Sequence, residues 1–160
     1  MPCNSILSAA VTFVSSEQEI RKWGAQFGTV VQYLEPHFTL LHGCEGFASN
    51  MEQFMRQFEN PFHPLHTTKP VPVGFTVFHN EEKHYNALAV KYEWPALQLA
   101  NAAACSDRNI FPLVGSGHNG DNFKAHVTFA YIDDHVAITP EDLQKQLDAD
   151  GLKLFFFDVN

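Results

Sequence analysis

Six short apolar runs, rich in Val, Phe and Thr, are spaced along this chain of 160 residues. Residues of these types favour extended backbone, and several runs alternate apolar with polar side chains, which is typical of β-strands. Segments with the apolar spacing of helices lie between the runs, so the pattern predicts an α+β fold. The predicted strands are Ile6–Val14, His37–Leu41, Val71–Phe78, Tyr85–Tyr92, Ala125–Ile132 and Leu152–Val159.

Four helices are predicted between these strands. Ser15 or Ser16 can cap the first, because a serine hydroxyl accepts a hydrogen bond from the backbone at the start of a helix. The fourth has a strong start signal in Thr139 and the proline that follows it, and it ends at Gly151. The apolar faces consist, in chain order, of Ile20, Trp23 and Phe27; Met51, Phe54, Met55 and Phe58; Trp94, Leu97, Ala100 and Ala104; and Leu143 and Leu147.

The elements follow the order strand, helix, strand, helix, strand, and this order occurs twice. We therefore expect one domain over residues 1–160, with two structurally equivalent lobe-forming halves, approximately 1–80 and 81–160. The second half contains a long insertion, Asn109–Phe123, whose Gly, Ser and Asn content indicates a loop. It lacks the ending of a phosphate-binding P-loop, and a surface loop and a substrate-gating lid both remain open interpretations.

Charge and cysteine content restrict the classes of ligand. The net charge is -8, and the ten Lys and Arg residues are scattered. Binding a long nucleic acid requires clustered basic residues, so a nucleotide ligand is expected to be small or one end of a polymer. Cys3, Cys44 and Cys105 lack paired spacing, and no apolar run is long enough to span a membrane. We therefore expect a reduced, soluble monomer in the cytoplasm, or in the nucleus of a eukaryote.

Two predicted strands carry the same polar motif, His-x-Thr followed by an apolar residue. His37 and Thr39 form the first pair, and His126 and Thr128 form the second. Residues two apart on a strand point to the same face, so each pair shares one face while its apolar neighbours face the core. If the two halves pack about a pseudo-two-fold axis, the two pairs meet across a central cleft.

Two facing imidazoles suit one definite chemistry. One can take a proton from water or a hydroxyl, and the other can give a proton to an oxygen that leaves phosphorus. Histidine performs both tasks because its pKa lies near neutrality. The Thr hydroxyls can donate hydrogen bonds to the phosphate oxygens, where charge grows in the transition state. This chemistry requires no metal or other cofactor.

Simpler interpretations of the histidines compete with this one. A histidine on a strand is often structural, and His66, followed by two threonines, is a decoy that precedes its strand instead of lying within it. A metal site is another rival in a chain with nine histidines. His63 with His66, and His79 with His84, are the candidate ligand pairs, but neither has the spacing of a known zinc motif. Lys124, two residues before His126, would share its face and add positive charge beside a phosphate, or it is a solvated surface lysine.

The sequences "HFTL" and "HVTF" resemble the two motifs that define the 2H phosphoesterases. The resemblance implies a bilobal α+β fold with the two motif strands around a central cleft. It implies that His37 and His126 are the general acid and base, and that Thr39 and Thr128 bind the phosphate. It further implies hydrolysis of a 2',3'-cyclic phosphate on a nucleotide or RNA end.

The stretch "HVTFAY" also resembles the second motif of the cyclic phosphodiesterases of tRNA splicing, in which a tyrosine lies near the phosphate. Tyr131 has that position here, but strict alternation would turn it toward the core, so this role requires a bend in the strand. Two alternatives stay open within the same resemblance. In the first, the chain hydrolyses 2'-5' or cyclic oligonucleotide signals. In the second, it is a catalytically silent module that binds nucleotides or RNA ends.

Overall fold

The computed structural model describes residues 5–29, 35–44, 65, 67–106 and 123–160. The described strands are β1 (Ser5–Ala10), β2 (His37–Cys44), β3 (Val71–Asn80), β4 (Tyr85–Glu93) and β5 (His126–Asp133). The helices are α1 (Glu17–Ala25), α2 (Pro95–Ser106) and α3 (Pro140–Ala149), with a short 3₁₀ helix at Leu154–Phe157. β1 pairs with β2 in one sheet, and a second, antiparallel sheet has the order β3-β4-β5.

The capping signals in the sequence correspond to real helix starts. The Ser16 side chain accepts a hydrogen bond from the backbone N–H of Glu19, at 3.2 Å. Thr139 and Asp142 form a reciprocal capping box at the start of α3, because each side chain accepts from the other residue's backbone N–H. The predicted helix over Met51–Phe58 lies outside the described residues, as does most of the insertion from Asn109 to Phe123.

The prediction of a strand at Leu152–Val159 is wrong. The chain forms the 3₁₀ helix there, and only Val159 makes an isolated β-bridge, with Phe13. The turn leaves Phe155 67% exposed and buries Phe157 completely. Phe157 packs against the rings of Trp23 and other aromatic side chains, so burial of one large ring outweighs the strand propensity of the run.

The chain divides into two compact units, each built from three segments, and both halves of the sequence contribute to both. The first unit comprises Met1–Ala9, Thr39–Lys69 and Trp94–Ala125. Within it, the amide of the fully buried Asn101 on α2 donates a 2.8 Å hydrogen bond to the carbonyl of Leu40 on β2. This bond fixes α2 against β2 and satisfies a polar group that would be costly to bury alone.

The second unit comprises Ala10–Phe38, Pro70–Glu93 and His126–Asn160. One face of its sheet packs against α1, α3 and the 3₁₀ helix, and an aromatic cluster forms that core. Gly24 allows α1 to approach β5 closely, because a Cβ at this position would lie 3.1 Å from the carbonyl oxygen of Phe129. The cluster consists of Phe13, Trp23, Phe75, Phe129 and Phe157.

Tyr92 links β4 to the 3₁₀ helix in this core. Its buried hydroxyl donates a 2.5 Å hydrogen bond to the carbonyl oxygen of Phe157. Burial raises the pKa of Tyr92 far above its ordinary value, and the carboxylate of Asp158 raises it further. The phenol is therefore a neutral donor over the whole physiological pH range.

Among the described residues, no helix combines the length and the apolar character that crossing a membrane requires.

Candidate active site

The second His-x-Thr motif lies on β5 at a β-bulge. Thr128 pairs with Ala89 of β4, but the next residue of β4, Leu88, pairs with Ala130, so Phe129 is an extra residue on β5. Residues directly opposite one another in an antiparallel pair point to the same face. His126 pairs with Lys91 and Tyr131 with Ala87, two residues to either side of Ala89. His126, Thr128 and Tyr131 therefore share one face of the sheet, opposite the face that packs on the helices.

We call this surface the motif face. Its other members follow from the same registers: Thr76 pairs with Ala89, and Phe78 pairs with Ala87. Tyr85 lies on it too, because alternate residues of β4 point to one side. The motif face thus includes Thr76, Phe78, Tyr85, Ala87, Ala89, Lys91, His126, Thr128 and Tyr131.

The bulge supplies the bend that a role for Tyr131 requires. In a regular strand Tyr131 would point away from Thr128, but here the bulge turns both side chains to the motif face. The Tyr131 ring also stacks on Tyr85, with centroids 4.8 Å apart and planes at 29°. Desolvation raises the pKa of Tyr131, with a smaller contribution from the charge of Tyr85, while hydrogen bonding from the Thr128 hydroxyl partly opposes the rise. Tyr131 is therefore a neutral phenol that can donate a hydrogen bond near neutral pH.

His126 is half-buried at the start of β5 and contacts an aromatic side chain. Its ring centroid lies 4.5 Å from that of Phe78, with the two planes tilted by 43°. Lys124 precedes β5 and is exposed. It belongs to the first unit, and its contact with a phosphate stays a prediction.

The first motif opens strand β2. His37 is half-buried, and its Nδ1 lies 2.9 Å from the carbonyl oxygen of Glu35. A carbonyl oxygen only accepts hydrogen bonds, so this contact requires the proton on Nδ1 and leaves the lone pair of a neutral ring on Nε2. Phe38 and Leu40 are buried and Thr39 is half-exposed, as the alternation in the sequence predicts.

Both motif histidines belong to the second unit, in which Phe38 and His126 lie toward the same end of β4. The ring of Phe38, next to His37, packs edge-on against Tyr92 with centroids 5.0 Å apart. Tyr92 follows Lys91, which is the β4 partner of His126. That the two imidazoles bracket one phosphate, with Thr39 and Thr128 beside them, stays a prediction.

The predicted metal-ligand pairs have other partners where they can be described. His79 Nδ1 lies 2.8 Å from Oδ1 of the buried Asn86, and His84 Nδ1 lies 3.5 Å from a carboxylate oxygen of Asp134. His63 and His66 lie outside the described residues. His79 and His84 therefore contact different residues and are not arranged as a ligand pair.

A cluster at Asp133–His135 was missed in the sequence, although three consecutive ligand-type residues are a visible signal. Its carboxylate and imidazole atoms lie within 4.8 Å of one another. Nδ1 of His135 lies 2.9 Å from Asp133 and 2.7 Å from Asp134. These carboxylates raise the pKa of His135, and the contacts with His135 lower that of Asp133. The three side chains therefore form an ion-pair network when His135 is protonated.

The described helices and strands form a mixed helix-and-sheet fold, and comparison with solved structures finds similar folds. It is similar to the fold of Usb1 from Kluyveromyces marxianus. The TM-score is 0.54 at 17% sequence identity, over 90% of this chain and 78% of that one. A structure of the same Usb1 with uridine monophosphate has a TM-score of 0.50 at 16% identity, with the same coverage. No family model and no curated protein matches the chain.

Proposed function

We propose that this chain is a phosphodiesterase that hydrolyses a 2',3'-cyclic phosphate on a nucleotide or RNA end. The observation that carries the proposal is the shared face of His126, Thr128 and Tyr131. This arrangement places a proton-transfer group beside two hydroxyls that can bind a phosphate. The likeness in fold to Usb1 supports a phosphodiesterase of the 2H type.

In the proposed reaction, one motif histidine takes a proton from water as the water oxygen attacks phosphorus. The bond from phosphorus to one ribose oxygen breaks, and the other histidine gives that oxygen a proton. The products are a phosphate monoester and a free ribose hydroxyl. Thr39 and Thr128 donate hydrogen bonds to the non-bridging oxygens, whose negative charge grows in the transition state.

The tautomer of His37 suits either proton-transfer role. Because Nδ1 is bonded to the carbonyl of Glu35, Nε2 is the atom that exchanges a proton with the substrate. A backbone acceptor on the second nitrogen also holds the ring in one orientation, which a positioned acid or base requires. Two imidazoles supply both proton transfers, so the proposed hydrolysis proceeds without a metal. We further propose that the protein acts in the cytoplasm.

The test is a product analysis by mass spectrometry. The purified chain is incubated with the four nucleoside 2',3'-cyclic phosphates, with 2'-5' dinucleotides and with cyclic dinucleotides, with and without EDTA. We expect turnover of a 2',3'-cyclic phosphate that EDTA leaves unchanged and that His126→Ala strongly reduces. Turnover of only a 2'-5' or cyclic dinucleotide would favour a role in degrading nucleotide signals. Micromolar binding without turnover would identify a silent binding module.

A further inference from the structure

Phe78 and His126 occupy diagonally opposite positions on the motif face. Phe78 pairs with Ala87 and His126 pairs with Lys91, so the midpoint between them along β4 is Ala89. The twist of an antiparallel sheet raises one pair of diagonal corners toward the same side, which brings such residues together. The two rings meet with centroids 4.5 Å apart, a contact that spans the intervening strand.

Ala89 makes this contact possible. It is completely buried, and its side chain is a single methyl group between Thr76 and Thr128. A larger residue at this position would fill the space over which the rings meet. The small residue in the middle strand and the two rings on the outer strands therefore form one packed arrangement.

A ring packed against an imidazole restricts its rotation. A histidine ring can adopt several orientations, and only some of them point a nitrogen at a bound phosphate. His37 obtains its orientation from a hydrogen bond to the backbone carbonyl of Glu35. The ring contact with Phe78 restricts His126 in a corresponding way, by packing.

We propose that Phe78 is a positioning residue, which holds the His126 imidazole in its reactive orientation. This inference rests on the proposed function, because it concerns the histidine that we place at the reacting phosphate. Phe78 has no group that transfers a proton, so its effect passes through His126. Its removal is expected to slow the chemical step while leaving the binding of substrate largely intact.

The experiment compares Phe78→Leu with Phe78→Tyr, using uridine 2',3'-cyclic phosphate as the substrate. We expect Phe78→Leu to lower kcat by about 10- to 100-fold, the range for a misplaced catalytic group, with KM within about twofold of the wild-type value. Phe78→Tyr keeps the ring and should retain most of the activity. Phe155→Leu is the matched control, because the same change is made at a phenylalanine that is 67% exposed and outside the motif face.

A second readout does not depend on activity. A proton of the His126 ring close to an aromatic face has a shifted NMR resonance, and that shift should disappear in Phe78→Leu but persist in Phe78→Tyr and Phe155→Leu. Circular dichroism establishes that each variant is folded. If Phe78→Leu does not fold, Phe78→Met takes its place, since methionine fills a similar volume without a ring.

Three results would overturn the inference. A folded Phe78→Leu protein that has lost the ring shift but keeps the wild-type kcat shows that His126 needs no such support. An increase in KM alone shows that Phe78 contacts the substrate instead. A His126 resonance that does not change shows that the rings do not touch in solution. Full activity in His126→Ala is a different outcome, because it contradicts the proposed function itself.

Discussion

Tyr131 and Thr128 lie on the same face of the sheet although they are three residues apart on one strand, a spacing that points them to opposite sides of a regular sheet. The extra residue at Phe129 removes that conflict. Threonine and tyrosine hydroxyls rotate about their C–O bonds, so each can turn its hydrogen toward a phosphate oxygen. The bulge thereby places two hydroxyl donors side by side on the motif face.

Tyr131→Phe tests this arrangement. The substitution keeps the ring that stacks on Tyr85 and removes only the hydroxyl. We expect kcat to fall about tenfold, the effect of one hydrogen bond, with the protein still folded. Tyr85→Phe removes a hydroxyl from the same motif face at a residue outside the motif, and steady-state kinetics should find it close to wild type. Equal effects in both variants would contradict the special role of Tyr131.

The two motif histidines should give a bell-shaped dependence of kcat/KM on pH. One imidazole must be neutral to act as base while the other is protonated to act as acid, and the two apparent pKa values belong to the pair. His37→Ala and His126→Ala should each lower kcat by about 10²–10⁴-fold. The double variant should lose less than the product of the two effects, because the residues act as a unit.

The control for this prediction is His66→Ala, at the decoy motif. Its kcat should be close to wild type. If His66→Ala lost turnover while His37→Ala kept it, the wrong histidine would have been assigned to the reaction.

Thr39→Ala and Thr128→Ala should lower kcat by about 10- to 100-fold, less than loss of a histidine, because each removes one hydrogen bond to a charged oxygen. Thr76→Ala is the matched control, because Thr76 lies across Ala89 from Thr128 on the same motif face but outside either motif. The kcat values of the three variants distinguish the loss of a motif hydroxyl from the general effect of losing a threonine hydroxyl. A Thr76→Ala variant as slow as Thr128→Ala would argue against phosphate binding by the motif.

Gly24→Ala should destabilise the fold. The added Cβ would lie 3.1 Å from the carbonyl oxygen of Phe129 and 3.2 Å from Cβ of Ala130, so α1 would have to move away from β5. We expect the free energy of unfolding to fall by about 1–3 kcal/mol, as for other overpacked sites. Gly74→Ala is the control, since its Cβ would meet no atom within 4 Å. Urea denaturation of both variants measures the difference, and equal stability would mean that α1 tolerates the shift.

Stability should also decrease at alkaline pH because of Tyr92. Its pKa is raised in the folded chain by burial, so the folded state keeps the phenolic proton at pH values where an unfolded chain loses it. The stabilisation is therefore complete below about pH 10, the ordinary tyrosine value, and is lost progressively above it. Tyr92→Phe should be less stable at neutral pH, because the Phe157 carbonyl loses its donor, and should show a shallower loss above that value. Denaturation at several pH values measures both effects, and identical slopes would contradict the assignment.

Local signals in the sequence predicted much of the fold. The caps at Ser16 and Thr139 and the alternation around Phe38 act within a few residues, so they can be interpreted without knowing the tertiary structure. The 3₁₀ helix at Leu154–Phe157 could not be predicted, because it forms to bury Phe157 against residues distant in sequence.

The candidate site was predictable to a similar extent. The face shared by His126 and Thr128 follows from the period of a strand, whereas the position of Tyr131 depends on which residue of β4 each residue of β5 pairs with. The Phe78–His126 contact depends on two registers at once, since β4 lies between the two residues. Strand pairing is a property of the folded sheet, and a single sequence does not contain it.

The extra residue at Phe129 shifts the alternation of side chains along β5 by one position. Every side chain after it is turned to the face opposite the one that plain counting from His126 assigns. A chain with a regular strand would carry its tyrosine two places after the threonine, and a chain with the bulge carries it three places after. Both spacings place the same hydroxyl beside the same motif, so a search for such sites by sequence should accept either one.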